Sequence, residues 1–326
     1  MTAFASSCSR RAALATLAAL PFAARAQTWP AKPVHLVVPY PPGGISDLVA
    51  RSLADHMAAR MGQPFVVENK AGASGTIGMG QLARAPADGY TLAFSAISPL
   101  TISPALGKVP YDAEHAFTPV ASVMVSPVLL LATSASAVRD FRELLTYARD
   151  WPDKVRWATS GPASLGHLML EQVEAAAKVR MVHIPYKGGG QQITDALGGQ
   201  FEVLSVNAGP VLTDHIRAGR LHALAVGAPR RLDALPQVPT LAELGYAAAN
   251  LSSQFGVFAP GDLPPRILDR LNGEVNAALQ TSEVRQRLLA SENVPTGGSA
   301  REFARQIAAE AESSARIIRA AGIKAD

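Results

Sequence analysis

From Val34 onward, short apolar runs alternate with stretches whose apolar residues recur at helical spacing. The first run holds Val34, Leu36, Val37 and Val38. Pro39, Pro41 and Pro42 stop it, and Gly43-Gly44 follow. Ser46 or Asp47 then offers a helix N-cap ahead of Leu48, Leu53 and Met57. The stretch reads as strand, tight loop, helix. The same rhythm predicts strands over 65–67 and 90–94 with a helix over 74–84 between them. From 95 to 118 it breaks into Pro, Ser and Gly, and a long apolar strand over 120–131 follows, bent near Pro127. Helices are then predicted over 141–150, 164–177, 191–198 and 211–218, alternating with strands over 155–158, 182–184, 203–206 and 223–226. A connector with Pro and Arg at 229–240 leads to an apolar return crossing over 255–258. Helices over 264–280, 283–290 and 300–321 complete the chain. Short β-α-β spacing argues for parallel, doubly wound sheets. Two such series joined by a strand predict two α/β lobes, with residues 27–126 and 249–326 in the first and 127–248 in the second.

The N-terminus departs from this pattern. Arg10-Arg11 precede an apolar stretch from 12 to 24 that is too short to span a bilayer, and Ala24-Arg25-Ala26 is a small-x-small site. Residues 1–26 are therefore read as an export signal cleaved after Ala26, leaving Gln27 first in a periplasmic protein. Ser9-Arg10-Arg11 with Leu14 leaves both the general and the twin-arginine route open. Cleavage removes Cys8, the only cysteine, and with it disulfides, zinc-thiolate sites and cysteine nucleophiles. It also removes three arginines and no acid, so Lys+Arg falls from 30 to 27 against 26 Asp+Glu. The net charge drops from +4 to +1. No basic run suits nucleic acid.

Candidate chemistry sits where strands meet helices. At the first corner, two glycines let backbone N–H groups turn toward one point, beside the positive end of the new helix. Such a corner attracts an anion without lysine or arginine. It is equally a plain β-α turn, and no G-x-G-x-x-G marks a dinucleotide site. Gly72, Gly75, Gly78 and Gly80 recur at helical intervals, which suits close packing better than a phosphate site. A second corner, Thr159-Ser160-Gly161 to Ser164, opens the helix carrying His167. Ser164 and His167 raise the idea of a dyad, but no G-x-S-x-G elbow accompanies them. The third corner, His183 to Gly190, brings Tyr186, Lys187 and, on its helix, Asp195. Lys187 suits a solvated loop tip as well as an anion. The fourth brings Asn207, either a ligand contact or a helix cap. The seven histidines lack metal spacing, and nothing calls for a cofactor or metal.

Together the motifs resemble the periplasmic receptors of tripartite tricarboxylate transporters, the Bug-type receptors. The resemblance rests on VVPYPPGGISDLVAR (37–51), VVENKAGASGTIG (66–78), PADGYTL (86–92) and PYDAEHAFTPVA (110–121). HIPYKGGG (183–190), LHALAV (221–226), LPQVPTLAELGY (235–246) and AAGI (320–323) continue it in the family's order. It implies a two-lobed, Venus-flytrap, type II-like α/β fold with two crossover strands. It also implies a small carboxylate in the cleft (a dicarboxylate or amino-acid-like solute), permease subunits as partners, a monomer, and no catalysis. By the same resemblance Tyr40, Pro42, Gly43, Gly44, Ile45, Ser46 and Asp47 lie on one cleft wall, and Ser95 belongs to the site. Thr159, Ser160, Gly161, Ser164, Asp195 and Asn207 lie on the other wall. The chain departs from the family's pattern at Ser253-Gln254, where an aromatic residue is usual, at Gln191-Gln192, and at Ala315-Arg316. Other readings are a sensor that presents its solute to a kinase and an exported hydrolase.

Overall fold

The computed structural model describes residues 29–323. The leader, its cleavage after Ala26 and the new terminus at Gln27 lie outside the described residues. The first strand, β1 (Val34–Val38), is covered on both faces, as its near-continuous apolar sequence requires. It pairs in parallel with β2 (Phe65–Asn69) on one side and β3 (Thr91–Ala96) on the other. Helix α1 (Ile45–Met61) connects β1 to β2 and ends at Gly62 in the left-handed conformation. Helix α2 (Thr76–Ala83) connects β2 to β3. A Cβ at Gly78 would lie 2.7 Å from that of Pro39, so this glycine serves close packing of α2 on the exit of β1, whereas Gly72 (φ 136°) and Gly75 (φ 99°) precede the helix at positive φ. Two one-turn helices, α3 (Ser98–Thr101) and α4 (Ser103–Leu106), occupy the Pro/Ser stretch.

The crossing strand β4 (Phe117–Ala132) is longer than predicted and serves two sheets. Residues 117–127 pair antiparallel with β9 (Ser252–Pro260), which also pairs with β3. From Val128 the same strand pairs with β7 (Val203–Asn207) and β8 (His222–Gly227). The change of partner falls at Pro127, the residue marked as the bend, which cannot donate to a ladder. In the second sheet β5 (Arg156–Thr159) pairs in parallel with β6 (Val182–Pro185) and β7. Helices α5 (Phe141–Asp150), α6 (Leu165–Ala177), α7 (Gly189–Leu197) and α8 (Pro210–Arg217) cover its faces. The chain therefore forms two α/β lobes. Each contains one antiparallel strand arriving from the other side: β4 in the second, β9 in the first. The start of β9 is tied to the end of β8 by the amide of Asn250, which bonds both polar groups of Ala228's backbone.

Each lobe has its own apolar interior. Leu36, Leu53, Phe94 and Val275 build the first, and Trp157, Leu130, Met169 and Val203 the second. After α9 (Pro265–Gln280) and α10 (Ser282–Ala290) comes a two-residue strand, β10 (Val294–Pro295), that was not predicted and pairs with β4. Helix α11 (Ala300–Ala321) begins with a capping box, Ser299 with Glu302, as such sequences favour. Its Phe303 packs with Phe258 on the first lobe, whereas Ile318 joins the interior of the second.

Candidate ligand-binding cleft

Between the lobes lies a cleft with about 720 Å³ of empty space, its mouth included. Three helices aim their N-termini at it. Ile45 and Ser46 at the start of α1, Leu165 and Gly166 at the start of α6, and Gly189 at the start of α7 all line it. The first N–H groups of a helix have no partner within the helix, and the aligned peptide dipoles add positive potential there. Gly166 allows α6 to approach β7 this closely, since a Cβ there would lie 2.4 Å from the Ser205 hydroxyl oxygen. That hydroxyl accepts from the Trp157 indole N–H and donates to the Gly166 carbonyl. Gln192, fully buried, donates to the carbonyls of Ala158 and Ser205 and so ties α7 to the ends of β5 and β7.

Among the described residues, no charged side chain lines the cleft. Ser46, Ser160 and Ser253 face it with hydroxyls that carry no protein hydrogen bond among the described residues. Tyr40, Ile45, Ile193, Val206 and Phe255 supply apolar surface. Tyr40 meets Phe255 edge-on at 6.4 Å, and burial raises its phenol pKa against opposing bonds from Ser95, Ala96 and Ser98.

Seven of the expected site residues line the cleft: Tyr40, Gly44, Ile45, Ser46, Ser160, Ser164 and Asn207. Ser164 also caps α6, accepting the His167 backbone N–H, which leaves its own O–H free to donate inward. Its oxygen therefore meets His167's backbone. The imidazole Nδ1 accepts from Ala163 N–H, Nε2 lies 3.3 Å from Glu171, and the ring stacks on His183 at 4.1 Å. The other seven, Pro42, Gly43, Asp47, Ser95, Thr159, Gly161 and Asp195, are not part of that lining. Pro42 and Gly43 are exposed at the rim. Ser95 is fully buried, with its hydroxyl on the Ala96 carbonyl. Thr159 turns its hydroxyl to the Gly161 carbonyl and to His183 Nε2, 2.7 Å away. Gly161 packs against Ser74 of the facing wall. Asp195 accepts the Tyr186 O–H at 2.8 Å, outside the cleft lining. Lys187 is exposed.

Asp47 also turns inward. The N-cap of α1 is Gly44, and neither Ser46 nor Asp47 takes that position. Asp47 reaches back to Gly43 N–H and also accepts from Arg51 and Asn69. Desolvation raises its pKa, but these donors and the Arg51 charge prevail and hold it below the ordinary 3.8. Its carboxylate fixes the loop and is not part of the cleft lining. Asp47→Ala should therefore cost about 1–3 kcal/mol of stability in a urea melt, the scale of an unsatisfied buried hydrogen-bonding group. A group with a depressed folded pKa contributes fully above its unfolded value. The wild-type advantage should fade as pH falls below 3.8 through the lower folded pKa. An Asp47→Ala melt that matches the wild type at neutral pH would contradict this role.

The positive backbone angle in the first loop belongs to Gly43 (φ 83°), while Gly44 is extended at φ −80°, ψ 170°. The facing turn fits tightly against this loop. A Cβ at Gly190 would lie 2.7 Å from the Pro42 carbonyl oxygen, and one at Gly188 would lie 2.3 Å from Pro41 Cδ. The Ser74 hydroxyl donates to the Pro162 carbonyl across the cleft. Ser74, Ser98, Ser205 and Ser253 were not among the expected site residues. Ser74, Ser98 and Ser205 each sit in an otherwise ordinary local pattern, and Ser253 stood out only as a departure from the family's pattern.

Two α/β lobes, crossing strands and an uncharged cleft ringed by helix N-termini define a ligand-binding receptor of the periplasmic-binding-protein fold. The sequence profile of the tripartite tricarboxylate transporter family receptor matches residues 49–323, and the chain belongs to that family. It is 37% identical to protein BugT of Bordetella pertussis over 303 residues, 92% of each chain. Rpa4515 of R. palustris, solved with adipate, superposes with a TM-score of 0.85 at 32% identity, covering 91% of this chain and 99% of that one. MatC of Rhodopseudomonas palustris, solved with bound malate, gives 0.84 at 29% identity over 89% and 100%.

Proposed function

We propose that the chain is a periplasmic receptor that captures a small carboxylate in the interlobe cleft and delivers it to the membrane subunits of a tripartite tricarboxylate transporter. It acts as a monomer, without chemical change to the ligand. The observation that carries this reading is the convergence of three helix N-termini on a cleft lined by hydroxyls and no charged side chain. A carboxylate there meets the N–H groups of Ile45, Ser46, Leu165 and Gly166 and the hydroxyls of Ser46, Ser160 and Ser164. Tyr40, Ile45, Val206 and Phe255 cover its carbon chain. The adipate and malate of the two solved relatives support an acid of this size. The moving parts are residues 27–126 with 249–326 and residues 127–248. They turn about β4 at Pro127 and about the chain entering β9, and a ligand touching both walls favours closure.

A thermal-shift screen over small mono- and dicarboxylates and amino acids tests the reading. A binder stabilises by RT ln(1 + [L]/Kd), about 2.7 kcal/mol at a hundredfold excess over Kd. With no charge cluster in the cleft, affinity should change little with salt. A screen in which no acid raises Tm, or one in which an acid is converted to product, would sink it. Mass spectrometry of the exported protein should show Gln27 as its first residue. An intact Met1 in the periplasm would refute the leader.

A further inference from the structure

The cleft does not end at Ser98 and Ser253. Ala96, Ser98, Leu165 and Ser253 also line a second cavity, with about 520 Å³ of empty space including its mouth. This cavity runs under α11 and adds Thr101, Gln254 and Glu310 to its walls. Its chemistry is opposite to that of the cleft. The cleft presents helix N-termini and no charge, whereas the side cavity presents a carboxylate.

Glu310 is half-buried, and among the described residues its carboxylate accepts a single hydrogen bond, from the Ser314 hydroxyl at 3.2 Å. Among the described residues no Lys, Arg or His nitrogen lies within 4.0 Å of that carboxylate. Glu174, also half-buried and without a cation within 4.0 Å, takes the Met181 backbone N–H instead, and the more deeply buried acids are compensated by cations. Glu274 has Arg60 and Arg270, and Asp47 has Arg51. Burial pushes the Glu310 carboxyl above the ordinary 4.5, with the Ser314 bond only partly opposing it. A half-buried carboxylate with no counter-ion is unfavourable, and a cation entering beside it relieves that cost.

We propose that the side cavity is a distal subsite for the ammonium end of an ω-amino carboxylate, with Glu310 as its counter-ion. The inference rests on the cleft reading above, because the ligand's own carboxylate is held at the helix N-termini. Its chain passes between Ser98 and Ser253, and its ammonium reaches Glu310. A dicarboxylate long enough to follow the same path would set its second carboxylate against Glu310 and be disfavoured. Glu310 thereby sets which end group the receptor accepts.

Calorimetric titration of the mature protein and of Glu310→Gln tests the subsite. The probes are γ-aminobutyrate, δ-aminovalerate and ε-aminocaproate beside glutarate, adipate and valerate. At least one ω-amino acid should bind the wild type. Glu310→Gln should weaken it by roughly tenfold or more, the scale of a lost charged hydrogen bond. The same change should leave valerate unaltered and leave adipate unaltered or tighter. The melting temperature of unliganded Glu310→Gln should equal or exceed that of the wild type, because a poorly solvated charge is removed. If the diacids or valerate bind and no ω-amino acid does, or if Glu310→Gln changes both series alike, the subsite is overturned while the cleft reading stands. If no carboxylate binds either protein, both fall together.

Discussion

Gly190→Ala should leave the unliganded protein fully folded yet cut its ligand affinity by roughly five- to a hundredfold. Gly190 is the second residue of α7, and alanine there favours the helix by about 0.5–1 kcal/mol over glycine. The new methyl meets nothing close on its own lobe. Its nearest neighbour is the Pro42 carbonyl oxygen across the cleft, 2.7 Å away. That approach exists only while the two rims are in contact, so the conflict is confined to the closed form. Overpacking of this kind costs about 1–3 kcal/mol, and each 1.4 kcal/mol is about tenfold in Kd. Calorimetry with the tightest acid from the carboxylate screen reads the affinity, a thermal melt reads the fold, and small-angle scattering reads the compaction. Wild-type affinity and wild-type compaction in the variant would show that the contact of Pro42 with the α7 turn is not part of the ligand-bound form. Gly44 is a weaker place to test closure. A Cβ there stands 3.8 Å from Gly190 N, an ordinary contact, and its backbone angles suit any residue.

The β-α alternation was legible because most strands are short, largely apolar runs and most connections carry Gly or Pro. The crossing by β4 was legible as a long apolar strand bent near Pro127, but not its change of partners there, since Pro119 in the same strand leaves the pairing with β9 in place. β10 was not legible. Two residues cannot show a period, and Val294-Pro295 is a strand only because β4 has a free edge beside it. The cleft was half legible. Turn residues mark where helices begin, so Gly44, Ser46, Ser160 and Ser164 stood out. Residue type could not say which polar side chains at those corners face the ligand and which face the protein. Asp47, Thr159 and Asp195 each found protein partners first, Gly43 with Arg51, Gly161 with His183, and Tyr186 respectively. Ser74, Ser98 and Ser253 come to the cleft from segments far apart in sequence. Only the packing of the two lobes brings them together.

The main donors of the cleft belong to the backbone, and a proline substitution can remove one of them. Ile45 is the first residue of α1, and Gly44 before it is extended at φ −80°, ψ 170°. A proline at this first helical position is well tolerated, because its missing N–H has no intrahelical partner and its fixed φ suits the helix. The residue before a proline must be extended, and Gly44 already is. Ile45→Pro therefore deletes one N–H facing the cleft and leaves the helix in place. Ile45→Ala is its control, losing the same partly buried side chain while keeping the N–H. A hydrogen bond from this N–H to a carboxylate is worth about 1.5–3 kcal/mol, so Ile45→Pro should bind roughly ten- to a hundredfold more weakly than Ile45→Ala. Their melting temperatures without ligand should be close. The gap in affinity should persist from low to moderate salt, since it arises from a short directional bond and not from long-range attraction. Equal affinity of Ile45→Pro and Ile45→Ala for every acid that binds the wild type would mean that the α1 N-terminus does not hold the carboxylate. The anion would then rest on α6 and α7 alone, where the N–H groups of Leu165, Gly166 and Gly189 face the same space.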